Sequence, residues 1–140
     1  MSLEFHLRLA GAAQIAIAAL HLAFPKRFRW KEELAQLSLL NRQIFVVHAI
    51  FICIVLILMG GLSLLAPDAL LEPTRLARFV LAGFAAFWIV RLVFQWFVYD
   101  SRLWRGNRFN TSMHVVASVL WAYLAAVYSV AFFAVARPPL

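Results

Sequence analysis

Apolar residues come in four long runs along this chain, separated by short stretches that hold most of its charge. Each run approaches the roughly 20 residues that a helix needs to cross a bilayer. The first covers about 5–24 and is expected to stop at Pro25. The second covers about 42–65, ahead of Ala66, Pro67 and Asp68. The third covers about 76–99, after Pro73 and Thr74. The fourth covers about 112–136, ahead of Arg137, Pro138 and Pro139. Asn110, Thr111 and Ser112 offer capping side chains for the fourth. The first run lies where a signal peptide would lie, but is expected to be retained as a span. The pattern predicts an all-α, four-span membrane helix bundle in a single domain 1–140, with links at about 25–41 and 100–111.

Helical phase gives three of the spans an inward face. Gly11, Gln14, Ala18 and His21 recur at spacings of three and four on the first. Phe84, Trp88, Arg91, Gln95 and Tyr99 do so on the third, and His114, Ser118, Trp121, Ala125 and Tyr128 on the fourth. Asn41, His48, Ile52 and Val55 fit more loosely on the second. Residues three or four apart share a helix face, and polar residues in a span are expected to face its neighbours. Small residues Ala12, Ala16, Gly60 and Gly61 would admit close packing within the chain or against another membrane subunit or a second copy.

Composition supports the spans and excludes some functions. The chain is 65% hydrophobic and 14% charged, where a soluble domain is about a quarter charged. The formal charge of +7 is grouped between apolar runs, which fits anionic lipid headgroups and not nucleic acid. Cys53 is the one cysteine, so there is no intrachain disulfide and no CxxC motif. Lys26, Arg27, Arg29, Lys31, Arg42, Arg102, Arg105 and Arg108 lie in the two links, against Arg8, Arg75, Arg78 and Arg137 on the other side. That excess predicts cytoplasmic links and both termini on the extracytoplasmic side, as in a multi-pass protein of a bacterial-type inner membrane. Trp30, Trp96, Tyr99 and Trp104 suit an aromatic belt at the inner boundary. Segment 25–40 places Trp30, Leu34 and Leu37 at helical spacing among charges. It reads as a basic anchor on the inner leaflet or an extension of the second span.

Arg91 is the residue that does not fit a plain span. A third span ending before it would hold only about twelve residues, or about 18 Å, against a core of roughly 30 Å. The helix must therefore run past it, which puts Arg91 about 12 Å inside Tyr99. A central arginine costs roughly 2.5–3.5 kcal/mol unless the guanidinium finds partners, water or headgroups. His21, His48, Gln95 and His114 fall in the same cytoplasmic half, one on each span.

Three functions fit that pattern. His21, His48 and His114 could ligate haem b or a transition metal in a redox role, with Arg91 near a propionate and Asp100 close by. Arg91, Gln95, Tyr99 and a histidine could instead bind a quinone- or lipid-like ligand between walls of Trp88, Trp96 and Trp121. In the third, the polar residues only fix the register of an accessory subunit without a cofactor. Asp100 at the water boundary reads most simply as a helix end. His6, near Glu4 and Arg8, reads as interfacial, and Met59 and Met113 as packing residues.

Overall fold

The computed structural model describes residues 2–136, and among them every regular element is helical. Four long helices dominate: α1 (Leu3–Leu20), α4 (Leu39–Leu65), α6 (Arg75–Phe97) and α7 (Arg108–Ala136). Short helices α2 (Phe24–Arg27), α3 (Trp30–Glu33) and α5 (Pro67–Leu71) fill the connections. Four stretches are long and apolar enough to cross a membrane: Leu3–Arg27, Leu39–Leu65, Arg75–Phe97 and Arg108–Ala136. Their large apolar side chains are widely exposed, including Ile50, Phe51, Leu58, Phe97 and Val119. A helix with apolar residues turned outward needs lipid or a partner against it. The stop expected at Arg137, Pro138 and Pro139 lies outside the described residues.

The boundaries differ from the sequence pattern for local reasons. Pro25 does not end the first span. α1 already gives way at Leu20 to a tighter turn, His21–Ala23, and Pro25 then sits in the first turn of α2. A proline is tolerated there because the first N–H groups of a helix lack partners in any case. α4 starts at Leu39, where Ser38 accepts a hydrogen bond from the Asn41 N–H and acts as its cap. α7 starts at Arg108, ahead of the expected Asn110, Thr111 and Ser112. Asn107 Oδ1 accepts from the Asn110 N–H at 3.1 Å and caps it instead. Asn110 and Thr111 are already helical, and their side chains donate back to the Leu103 and Trp104 carbonyls at 2.8 Å. Segment 25–40 is a chain of short turns, and Trp30 packs edge-on against Phe45, with 4.9 Å between ring centroids.

The chain divides into two compact units, one running up to Leu7 and again from Asp68 onward, the other Arg8–Pro67. In Arg8–Pro67 the contact between α1 and α4 is made by glycine. A Cβ on Gly11 would lie 2.6 Å from the Gly60 carbonyl oxygen and 2.7 Å from the Leu64 nitrogen. A Cβ on Gly60 would lie 2.8 Å from the Gly11 oxygen. The close pair is thus Gly11 with Gly60, whereas Ala12 and Ala16 are exposed and Gly61 meets nothing. The buried face of α4 is Leu56, Met59, Gly60 and Ser63, not the Asn41–His48–Ile52–Val55 line. An almost uniformly apolar helix carries no period from which to read its face. Arg8 ties the same helices by donating to the Leu64 carbonyl at 2.9 Å.

The other unit is built on α6 against α7. Leu81, Ala85 and Trp88 of α6 are buried, as are Trp121, Leu124, Ala125 and Tyr128 of α7. The Phe84 ring meets Tyr128 edge-on at 5.2 Å. His6, in the first turns of α1, pairs with the Tyr123 hydroxyl at 3.0 Å. After α6 the chain turns at Asp100, which accepts from the Arg102 N–H at 2.8 Å and forms an ion pair with its guanidinium at 2.5 Å.

Two outcomes follow from this packing. Gly11→Ala forces backbone atoms apart and is expected to cost about 1–3 kcal/mol of overpacking, while Gly83→Ala, with nothing within 4 Å, gains up to about 1 kcal/mol of helix propensity. Apparent melting temperatures in detergent should fall for the first and hold or rise for the second. The Arg102 guanidinium beside Asp100 holds its carboxyl below the ordinary aspartate range, first through the side-chain hydrogen bond and then through the backbone one. Because the folded value is lowered, this small contribution to stability is present above the unfolded value of about 3.9 and is lost as pH falls through the folded one. Carboxyl NMR titration should place the Asp100 midpoint below that of a free aspartate, and Arg102→Ala should move it upward.

Candidate functional site

Arg91 and Gln95 stand one turn apart on α6, so the helix itself presents them together. Arg91 Nη1 donates to Gln95 Oε1 at 3.2 Å. Trp121, from α7, donates its indole N–H to the same oxygen at 3.3 Å. Neither donor can accept a hydrogen bond, so the side-chain oxygen of Gln95 must be the atom they share. Its amide nitrogen is then the group facing His114 Nδ1 at 2.8 Å. That nitrogen can only donate, so His114 Nδ1 must accept and carries no proton. The imidazole is therefore the neutral Nε2–H tautomer. Gln95 is 7% exposed, which makes these three bonds matter.

Aromatic rings hold the charges in place. The Arg91 guanidinium lies 5.0 Å from the Trp121 ring centroid and 5.6 Å from that of Tyr99. Each such contact is worth roughly 0.5–2 kcal/mol, more where water is absent. Trp88 and Trp121 stack at 5.0 Å with 19° between planes. The Trp88 indole N–H is buried without a hydrogen-bond partner among the described residues. Trp104 stacks on His114 at 3.9 Å and 18°, closing one side of the imidazole. Trp96 donates to Ser118 Oγ at 3.2 Å, a second tie between α6 and α7. Among the described residues, Arg91 has no carboxylate partner.

His21 and His48 are set differently. His21 Nδ1 bonds the Ile17 carbonyl at 2.8 Å, and His48 Nδ1 bonds the Ile44 carbonyl at 2.8 Å. A carbonyl only accepts, so both histidines carry a proton on Nδ1, and in the neutral ring Nε2 is the nitrogen with the lone pair. Both line an open groove of about 550 Å³ in the Arg8–Pro67 unit, with Phe24, Trp30, Phe45 and Ile52 among its walls.

The nine residues singled out in the sequence thus fall into three settings. Arg91, Gln95, His114, Trp121 and Tyr99 share one network, with Trp88 stacked on Trp121. His21 and His48 share the groove. Asp100 pairs with Arg102 in the link. Among the described residues, no group of three or more His, Cys, Asp or Glu is gathered so that it could hold a metal ion. Trp104, stacked on His114, and Ser118, bonded to Trp96 beside the network, were not singled out as site residues. Ser118 stood on the inward line of its span. Trp104 reaches His114 across a turn, where helical periodicity gives no signal.

The hydrogen-bond order around Gln95 can be tested directly. Nitrogen NMR of His114 should show the Nε2–H tautomer, and Gln95→Leu should release it to a mixture. An Nδ1–H signal in the unaltered chain would contradict the order given above.

No family model matches the chain, and neither the curated proteins nor the solved structures give a match to it.

Proposed function

We propose that the chain is an integral membrane protein that holds an acidic amphiphile, a carboxylate or phosphate head on an apolar tail, at the Arg91 network. The observation that carries this reading is a guanidinium on an apolar, span-length helix with no carboxylate among the described residues to balance it. A central arginine in lipid costs roughly 2.5–3.5 kcal/mol. Gln95, Trp121 and Tyr99 offset part of that through dipoles and ring faces, and none of them supplies negative charge. The spare capacity in the network is mostly donating: the remaining guanidinium N–H groups and His114 Nε2–H donate only, and the Tyr99 hydroxyl can donate or accept. With His114 neutral, the network has one net positive charge and an excess of donors. An anionic head with several oxygens answers both, and the exposed apolar side chains of α6 and α7 suit its tail. A quinone offers acceptor oxygens and leaves the charge unbalanced, so the acidic ligand fits better. With the basic links on the cytoplasmic side, the ligand is drawn from the inner leaflet.

The test is the lipid that accompanies the protein through purification in mild detergent, identified by mass spectrometry. Acidic lipid should be retained by the unaltered chain and by Arg75→Leu. In Arg91→Leu its affinity should drop about ten- to hundredfold, the worth of a charge-assisted hydrogen bond. Retention of a quinone, or an unchanged lipid profile in a folded Arg91→Leu protein, would overturn the reading. The second result would leave Arg91 as a residue that only fixes helix register.

A further inference from the structure

The groove in Arg8–Pro67 asks for a different ligand from the one proposed for Arg91. Its two histidines are pinned through Nδ1 to carbonyls four residues back, His21 to Ile17 and His48 to Ile44. In its neutral form each therefore offers the lone pair of Nε2 in a fixed tautomer. A hydrogen bond of this kind from the other ring nitrogen orients metal-ligating imidazoles and raises their basicity. Neither histidine has another hydrogen-bond partner among the described residues. An imidazole in an apolar span that spends its donor on its own helix and leaves its acceptor unused is poised for an electrophile.

The chemistry of the walls narrows which one. Two imidazoles leave a bare transition ion short of ligands, since such ions take four or more. No group of three His, Cys, Asp or Glu supplies the remainder among the described residues. A haem brings four nitrogens of its own and asks the protein for axial ligands only. The groove is otherwise apolar and largely aromatic, with Phe24, Trp30, Phe45 and Ile52, which suits a flat macrocycle. Its volume of about 550 Å³ falls within the range of cofactor sites. The groove also has cations near it in sequence for acidic side chains of the ligand. Lys26 and Lys31 follow Phe24 and Trp30, and Arg42 precedes Phe45 by three residues.

We infer that His21 and His48 are the axial ligands of a b-type haem seated in this groove. His114 takes no part in it, because its Nδ1 is bonded to Gln95 and its Nε2 is protonated.

The experiment is a titration of the full chain, purified in mild detergent, with ferric haem b, followed by absorption spectroscopy before and after reduction. A saturable, one-to-one complex with the sharp bands of a six-coordinate low-spin haem is expected. His21→Ala and His48→Ala should each abolish the low-spin bands and weaken binding at least about tenfold, the lower scale of ligand-shell effects. His48→Met guards against misfolding of the alanine variants, because methionine can still ligate iron and should give a shifted six-coordinate spectrum. His114→Ala should bind haem as the unaltered chain does. Absence of a saturable complex would overturn the inference, as would low-spin bands that survive both alanine replacements. Arg91→Leu is expected to bind haem normally, so failure of the acidic-lipid reading and failure of this one are told apart.

Discussion

One side-chain amide organises the α6–α7 unit. Gln95 has a single side-chain oxygen, and two obligate donors from two helices converge on it. Once that oxygen is assigned, nothing else in the network is free to change. The amide nitrogen must face His114, His114 must be neutral, and its remaining proton must point away from Gln95. Individual polar contacts between membrane helices average only about 0.6 kcal/mol. Their effect on geometry is larger than their effect on stability, because a wrong orientation would set donor against donor in a buried place. The register of α6 on α7 is fixed at Gln95 and again at the next residue, where Trp96 bonds Ser118 between His114 and Trp121.

The same reasoning separates histidines that composition treats alike. His21 and His48 donate from Nδ1 to carbonyls of their own helices, so a neutral ring keeps its lone pair on Nε2. His114 bonds an amide N–H, so it keeps a proton. The side chain is identical, and the partner of Nδ1 decides whether it acts as an acceptor or a donor. A sequence shows three imidazoles in the same half of three of the four spans. It does not show what lies four residues back or one helix across, and that is what sorts them into two sites of opposite chemistry.

Much of the fold was legible because lipid imposes a simple rule: apolar runs of the right length, with charge between them. Arg91 could be placed inside a helix from arithmetic alone, and α6 does continue past it to Phe97. The inward lines of α6 and α7 were legible because their polar and aromatic residues are sparse enough to mark a face. Trp88, Gln95, Trp121, Ala125 and Tyr128 are all buried. α4 was not legible, since apolar residues surround it and its contact is set by Gly60, which has no side chain to read. Cap positions were missed for a related reason. Asn107, Asn110, Thr111 and Ser112 are all good caps, and only the path of the loop selects Asn107. Trp104 was missed because stacking from a loop onto His114 follows no helical period.

Two fates for Arg91 were open at the outset, pointing at partners or reaching for the headgroups. The geometry sets no conflict between them. Gln95 is a turn further along α6 than Arg91, and Tyr99 is about two turns further. A guanidinium that touches both has already been carried toward the C-terminal end of the helix, where the basic link begins. On the four-span reading, reaching toward the edge of a bilayer and engaging the network would be the same movement. This lowers the cost of the charge without removing it, because Gln95, Tyr99 and Trp121 contribute dipoles and ring faces only. The charge that remains lies toward the C-terminal end of the helix, where the proposed acidic headgroup would meet it.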